Sequence, residues 1–554
     1  MSASEREGAV PPRRARDRST SLGLLRRALS SRKTGVMLAL GFASGLPVAL
    51  LIGTLNAWLG EAGVSLATIG ILSWIGLAYA FKFLWSPVVD RARLPLIGGL
   101  GRRKGWLIPC QLVVAAVLLL LAATDPAVSI GTFAALAVVG AFASATQDIA
   151  VDAWRIDVAD EETPVELLSA IYQLGYRLSA LFGGAFSLVL AARIGWPGVY
   201  VVMGAVMAAL ALATLAAPDT PRPQVASDGA ADGAHRRERT LGLLVTGAAW
   251  GIAILAIAGF MVVALGTPVG EKPPSAGDFT KQFGPWIVAL TVLVPLLVGA
   301  WANRRGVPRT LGAMRGAVGR GYDALVMPFA ELIARLRWGA VVVLGLILSY
   351  RICDSIWGPF AYPFYLEALK YTNDEVAFAS KIFGVGMLLV GVALSGLLFV
   401  WIGRMATLLI GAATAAATNL LYADLATGGG GIDAVARLFG LDALGDLRMT
   451  RLLIAISGEN IASGLAGAAF VAYLSTITSK RFAAVQYALL SSLTLLVGSL
   501  GRGALGEAID TIGYAPVFRF TAALGLVAVG FVLLEWWRTR GASAAEPGGT
   551  GEEA

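Results

Sequence analysis

The sequence predicts an all-α polytopic membrane protein, and three observations carry that reading. Of the 554 residues, 57% are hydrophobic and only 14% are charged, with a mean hydropathy of +0.72. A soluble domain carries about 25% charged residues. Apolar stretches of twenty or more residues recur along nearly the whole chain, each long enough to cross about 30 Å of hydrocarbon at 1.5 Å per residue. These runs are continuous, whereas barrel strands alternate over about ten residues, so helices are selected over a β-barrel.

The elements follow in order. A basic tail, 1–34, holds Arg6, Arg13, Arg14, Arg16, Arg18, Arg26, Arg27, Arg32 and Lys33. It is too long for the basic region of a signal peptide, and no cleavage site follows it. Six spans are predicted at about 35–59, 67–90, 104–124, 129–156, 165–191 and 195–217. A polar linker, 218–239, precedes two more at about 241–266 and 284–303, and a basic segment fills 304–337. Six further spans are expected at about 338–366, 375–400, 402–423, 452–477, 483–508 and 513–537, ahead of a polar tail, 541–554.

The expected domains are therefore 1–34, 35–217, 218–337, 338–540 and 541–554. Within the third, Tyr322–Arg337 reads as a tether with no function of its own, an interfacial helix interrupted at Pro328 being the alternative. Orientation comes from the loops. Arg91, Arg93, Arg102, Arg103 and Lys104, then Arg304 to Arg337, then Lys480 and Arg481, all fall on one side, while 60–66, 125–128 and 367–374 carry few cations. The positive-inside rule then gives fourteen spans with both termini cytoplasmic. The net charge of +8 is explained by this placement, with the lipid bilayer as partner and no nucleic acid. Cys110 and Cys353 both fall in predicted spans, which speaks against a disulfide framework or a metal site. His235, the one histidine, sits in the polar linker, so no histidine relay crosses the membrane.

Ionisable residues inside spans are functional candidates, because each costs at least about 2.5 kcal/mol unless paired or wet. In "ATQDIAVDAWRID" (145–157), Asp148 and Asp152 are four apart and share a helix face that Arg155 extends. Lys82 of span two lies at a depth equal to that of Asp148, which allows a Lys82–Asp148 or Lys82–Asp152 pair. Arg177, beside Tyr176, lies near the midplane of span five. Arg351 and Asp354 share a face of span nine, Lys381 lies in span ten, and Glu459 and Asn460 lie in span twelve. Arg155 and Asp157, near the membrane edge, are expected to form structural ion pairs. Lys82, Asp148, Arg351 and Asp354 are expected to line a wet cavity for a polar or anionic solute.

Glycine and proline give a second signal. Gly41, Gly45 and Pro47 interrupt span one, and Gly358, Pro359 and Pro363 interrupt span nine, the first helix of each six. Paired interruptions point to a transport site, with close helix packing as the competing explanation. Trp357 and its aromatic neighbours can stack on sugar rings or form an interfacial belt. The sequence shows no metal-ligand histidine pair, no Walker loop and no nucleophile elbow. An enzyme is therefore not expected, and neither is a primary pump. Ion-driven transport, with no cofactor beyond a proton gradient, is left.

The six–two–six order resembles the build of major facilitator transporters: two six-helix bundles, here with an extra transmembrane pair between them. The stretches "GFASGLPVALLIGTLNAWL", "TIGILSWIGLAYAFKFLWSPVVDR", "GRRKGW", "SATQDIAVDAWRID" and "LGYRLSALFGG" cover about 35–215 in order, and "FVAYLSTITSKRFAAVQYALLSSL" follows at 470–493. Together they resemble the AmpG-type muropeptide permeases. The pair between the bundles departs from that family, whose extra helices often lie at the C-terminus, and span nine is only loosely similar.

The resemblance implies a proton-driven importer of N-acetylglucosaminyl-1,6-anhydro-N-acetylmuramyl peptides in the bacterial inner membrane. It further implies a role in peptidoglycan recycling and, in some bacteria, in β-lactamase induction. The alternatives are a carrier of another bulky anionic solute, such as an acyl-coenzyme A, and an intramembrane glycan-modifying enzyme. On this reading Gly45, Ala145 and Gln147 make room for the disaccharide and hydrogen-bond it. Tyr176, Trp357, Glu459 and Asn460 contact substrate, and Arg177, Arg351 or Lys381 hold its carboxylates. Asp148 carries the proton, followed by Asp152 and Asp354 as candidates, with Lys82 as partner. A monomer is expected.

Overall fold

The computed structural model describes residues 29–62, 78–79, 81–92, 100–219, 235–265, 274, 276–309, 316–352, 361–441, 446–494, 508–509 and 511–544. Among these, every regular element is helical. Among the described residues, ten helices are long and apolar enough to cross a membrane, or eleven if the bent pair Met327–Leu336 and Gly339–Tyr350 counts as one span.

Helix α1 runs from Arg32 to Val48 and continues through a wide π-turn segment, Ala49–Thr54, into Leu55–Glu61. Its start is capped by Ser31, whose hydroxyl accepts from Thr34 N. Pro47 explains the widening, since it has no N–H to give to the carbonyl four residues back. The described end of span two is a short 3₁₀ turn, Lys82–Leu84, followed by α2, Ser86–Arg91. Then come α3 (Lys104–Ala122), α4 (Ile130–Val158), α5 (Val165–Leu181) and α6 (Ser187–Leu215).

The helical stretch Val165–Leu215 is 51 residues, far longer than one crossing requires. It breaks at Gly195, whose φ of 72° suits glycine. Sequence spans five and six therefore meet at a glycine turn.

The two central helices are α7 (Arg236–Leu265) and α8, which runs as Ala276–Val288, Ala289–Leu293 and Val294–Arg304. Next are α9 (Ala317–Leu325), α10 (Met327–Leu336) and α11 (Gly339–Tyr350). The later helices are α12 (Asn373–Ala377, Phe378–Phe383 and Gly384–Trp401), α13 (Arg404–Ala426), α14 (Gly430–Leu438), α15 (Leu447–Ile477), α16 (Ala483–Ser492) and α17 (Tyr514–Ala544).

Packing repeats between an N-terminal set (α1–α6) and a C-terminal set (α11–α17). In the first, α3 lies against α6 and α4; in the second, α13 lies against α17 and α15. Glycines permit the closest approaches. A Cβ at Gly41 would sit 2.3 Å from Tyr172 O, and one at Gly175 would sit 2.3 Å from Leu38 O, locking α1 on α5. In the C-terminal set a Cβ at Gly391 would meet Ile461 O at 2.2 Å, and one at Gly464 would meet Leu388 O at 2.3 Å. Small residues let backbones touch where lipid supplies no hydrophobic drive between helices.

Two expectations about glycine and alanine are corrected here. Gly45 leaves no room for a ligand: a Cβ there would sit 2.1 Å from Ser179 Oγ and 2.6 Å from Tyr176 O. Ala145 is fully buried among the apolar side chains of the N-terminal core. Both are packing residues, because each faces a neighbouring helix of its own set.

The segment expected as a tether is helical. It folds as α9 and α10, with Pro328 in the first turn of α10, where a missing N–H costs nothing. Arg337, at φ 52°, forms the corner that turns α10 by 106° into α11. Helix α10 is clamped at several points. Asn303 Nδ2 donates to Ala330 O at 2.7 Å, Gln486 Nε2 donates to Pro328 O at 2.8 Å, and Arg335 Nη2 donates to Ile477 O at 2.7 Å. From the N-terminal set, Arg91 donates to the carbonyl oxygens of Asp323 and Arg320. A second short helix that the sequence reading omitted, α14, is tied to α15 by Asp433–Arg451 at 2.6 Å.

Gly45→Val is expected to lower the yield of folded protein and cost about 1–3 kcal/mol or more through overpacking. Gly53→Ala, with no atom within 4 Å of the added carbon, serves as control. Thermal melting read by size-exclusion chromatography in detergent checks both.

Candidate functional site

Helix α4 brings the charges together. Its first half is small and apolar, so it packs closely inside the N-terminal set. Asp148, Asp152 and Arg155 then occupy one stripe and are all buried. Lys82, on the turn before α2, places its Nζ 3.4 Å from Asp148 Oδ2 and 3.7 Å from Asp152 Oδ2. Both pairs allowed by the sequence are thus formed by the same ammonium. Arg155 Nη2 lies 3.1 Å from the other oxygen of Asp152, Oδ1. Two carboxylates and two cations make a cluster of zero net charge, which a low-dielectric interior tolerates far better than any single ion.

Arg155 is not an edge residue in an isolated pair. It is completely buried, and its guanidinium lies between two aromatic rings, 4.8 Å from the centroid of Tyr172 on α5 and 5.0 Å from that of Tyr487 on α16. Its Nε donates to Ser475 Oγ on α15 at 3.3 Å. The sequence could not reveal this, because Ser475 and Tyr487 lie more than three hundred residues away. Asp157 does form the structural pair expected of it. It accepts from Arg103 Nε at 2.7 Å, while Arg103 and Arg102 also reach Asp90 at 3.0 and 2.7 Å.

The cluster sits where the two sets meet, and contacts seal it on the side of the basic loops. Arg404 pairs with Glu166 at 3.4 Å, and Lys480 Nζ donates to Ala159 O at 2.9 Å. Lys33 pairs with Asp160 in the α4–α5 loop, and its ammonium beside the carboxyl holds Asp160 down at about 2. Deeper in, Leu174 packs on Leu388, Val392 and Ala468, so the seal reaches roughly mid-depth. A cavity of about 420 Å³ opens between the sets on this face, lined by Asp160, Glu161, Glu166, Ser475, Thr476 and Lys480 among others.

The remaining candidates fall into separate places. Tyr176 stands on α5, its ring 6.1 Å from that of Tyr172, with the Arg177 guanidinium 5.9 Å from the Tyr176 ring. Gln147 is fully buried, and neither polar atom of its side chain has a hydrogen-bond partner among the described residues. Arg351, just past α11, lies against α15 at Gly467, where an added Cβ would be 3.2 Å from Nη1. Glu459 lies two turns away on α15, about 12 Å along the axis from Gly467. It accepts from the Tyr422 hydroxyl, which is 2.8 Å from that of Tyr365. Asn460 Nδ2 donates to Ile456 O of its own helix at 2.9 Å. Asp354 and Trp357 lie outside the described residues; Lys381 lies in the Phe378–Phe383 part of α12, and its side chain is likewise outside them. Tyr487, Ser475 and Tyr422 are the polar contacts that sequence reasoning missed.

The sequence pattern of the Major Facilitator Superfamily matches residues 37–349, more than half of the chain. The chain belongs to the major facilitator superfamily. The relatives of this major facilitator protein include the anhydromuropeptide permease of Escherichia coli (strain K12), 29% identical over 510 residues, 92% of this chain and 80% of that one. A protein named for AmpG in Rickettsia conorii is 28% identical over 495 residues, 89% of this chain and 94% of that one.

Among solved structures, the proton:xylose symporter XylE superposes with a TM-score of 0.55 at 12% identity, covering 92% of this chain and 96% of that one. A POT family peptide transporter gives 0.51 at 14%, covering 95% and 99%. These two share the fold. The protein is a multi-pass membrane transporter of a small molecule and not an enzyme, its relatives being named permeases on a transporter fold.

Lys82 has two carboxylate partners, so losing one leaves it paired. Asp148→Asn is expected to cost about 1–3 kcal/mol, whereas Asp148→Asn with Asp152→Asn strands two buried cations and costs about 3–5 kcal/mol or more. Adding Lys82→Met to the double variant should recover part of that loss. Thermal stability of the purified variants checks the order.

Proposed function

We propose that this protein imports anhydromuropeptides, N-acetylglucosaminyl-1,6-anhydro-N-acetylmuramic acid with or without peptide, across the bacterial inner membrane in symport with protons. The observation that carries the reading is the buried carboxylate pair sharing Lys82 where the two helix sets meet. A carboxylate that alternates between an ammonium partner and a proton can couple charge to conformation. The name of the Escherichia coli relative supplies the substrate class. Fourteen spans in two six-helix bundles (35–217 and 338–540), an added central pair, cytoplasmic termini and a monomeric state complete the proposal, which requires no cofactor beyond the proton gradient.

On this reading the sets rock about the substrate site, and the contacts around Arg155, Glu166 and Lys480 part when the site opens to the cytoplasm. Asp148 takes the proton, with Asp152 and Asp354 as the other acids. Arg177, Arg351 and Lys381 hold the carboxylates of the glycopeptide. Tyr176 offers a ring face to the sugars, as Trp357 does in the ninth span. Gln147 supports the assignment, because a buried amide without an internal partner is costly unless water or a ligand satisfies it. Glu459, held by Tyr422, hydrogen-bonds the peptide part. Peptidoglycan recycling follows from such import and, where the host has the circuit, so does β-lactamase induction.

Proteoliposomes with an imposed proton gradient should accumulate labelled anhydromuropeptide, and a protonophore should abolish the accumulation. Active protein that carries an acyl-coenzyme A instead would transfer the assignment to another bulky anion. Asp148→Asn should lose accumulation while keeping substrate exchange, since Asn retains size and an accepting oxygen but cannot cycle its charge. Gln147→Leu should abolish uptake with folded protein as stable as the parent or more so. Its disappearance from the membrane would make Gln147 a packing residue.

A further inference from the structure

Arg155 differs from the other buried cations of the cluster in what it touches. Lys82 forms its ion pairs with Asp148 and Asp152, both within the N-terminal set, and also feels Tyr487 of the other set. Arg155 faces both sets at once: Asp152 and Tyr172 from its own, Ser475 and Tyr487 from the other. Its one carboxylate partner is thus a residue that also belongs to the Lys82 cluster. The two contacts across the interface, a ring face and a hydroxyl, are neutral and depend on the guanidinium being held in place. A planar cation fits between two rings, and its attraction to them is strongest where water is absent.

We propose that Arg155 is the positioning residue that converts the charge of the Asp148–Asp152 carboxylate pair into closure of the two helix sets on the basic face. This rests on the reading that the Lys82–Asp148–Asp152 cluster takes up a proton. With both carboxylates ionised, Lys82 divides between them, Asp152 anchors the guanidinium between Tyr172 and Tyr487, and the sets are pinned together. With Asp148 protonated, Lys82 turns wholly to Asp152, and the one uncompensated positive charge of the cluster falls on the guanidinium. A buried unpaired cation is penalised only while it stays dry. Parting α4 from α15 and α16 admits water and relieves it. Protonation therefore favours the state open on the basic face, which is the direction a proton-driven importer requires.

The other groups facing this site are Asp148 on α4, Lys82 before α2, Tyr172 and Tyr176 on α5, Ser475 on α15 and Tyr487 on α16. Tyr487 meets the guanidinium with both its ring face and its hydroxyl. Dependence on the charge of the carboxylate pair separates Arg155 from a general clamp, which would weaken the closed state equally at every pH.

The test reads the opening directly and needs no substrate. Spin labels at Glu162→Cys and Trp401→Cys, with Cys110→Ala and Cys353→Ala, report the distance between the sets on the basic face of the full-length protein in lipid nanodiscs. Between about pH 8 and about pH 5 the ratio of long to short distances should rise at least about fivefold, the low end of a typical coupling. Asp152→Asn should hold the ratio high at both pH values. Arg155→Met should change by less than about twofold over the same range. Tyr487→Leu should match it.

A parent-like response in folded Arg155→Met overturns the inference while leaving the proton site intact. If that variant does not fold, the same response in Tyr487→Leu overturns it. A flat profile in the parent overturns the proton site and the inference together. Neither result bears on which glycopeptide is carried.

Discussion

One ammonium shared by two buried carboxylates is the interaction on which the rest of the structure depends. Lys82 reaches both Asp148 and Asp152, and Arg155 balances the second negative charge. Four ions in a dry interior are tolerable only when all four are held in register. The scaffold supplies that register. Glycines at 41 and 175 bring α1 and α5 into backbone contact, and the Asp90–Arg102–Arg103–Asp157 network fixes the ends of α2, α3 and α4 relative to one another. The second network lies at the basic-loop ends of these helices and stays whole within the N-terminal set. The first lies deeper and leans on the opposite set through Arg155.

The cross-set contacts differ in strength along the interface. Toward the basic face they are polar: Glu166–Arg404 at 3.4 Å, and Lys480 with Ala159 O at 2.9 Å. Toward mid-depth they become apolar, with Leu174 on Leu388, Val392 and Ala468. Partly exposed ion pairs contribute little each, so this face is held shut by many small terms that water can replace. Such a seal suits a surface that must part and re-form. By contrast, the packing inside each set uses glycine-to-backbone contacts that tolerate no added carbon. Rigid sets with a replaceable seam are the mechanical requirement of alternating access.

The central helices add to this seam without belonging to either set. Helix α10 meets α8 through Asn303, α15 and α16 through Arg335 and Gln486, while α9 meets the end of α2 through Arg91. Helices α9 and α10 are therefore fastened on the basic face to residues of both sets, and α8 is tied to them through Asn303. The C-terminal set is not a chemical copy of the first. Where the N-terminal set has its ion cluster, the C-terminal set carries Arg351 beside Gly467 and, about 12 Å along α15, the chain Tyr365–Tyr422–Glu459. The shared architecture thus carries unlike polar groups in its two halves.

The sequence by itself determined the membrane class, the helical character of the spans and the match in depth between Lys82 and Asp148. Those properties depend on local composition and on a fixed rise per residue, so Lys82 could be matched to Asp148 from numbering alone. It also marked the proline where α1 widens, because a missing N–H acts within one turn. Only the tertiary structure decided which face each small residue presents. Gly45 and Ala145 read as openings in sequence and turned out to be contacts, since a missing side chain marks a cavity and a close approach alike. Arg155 was decided the same way. Its partners Tyr487 and Ser475 come from the far end of the chain, and no local signal distinguishes a cation at a membrane edge from one enclosed between two helix sets.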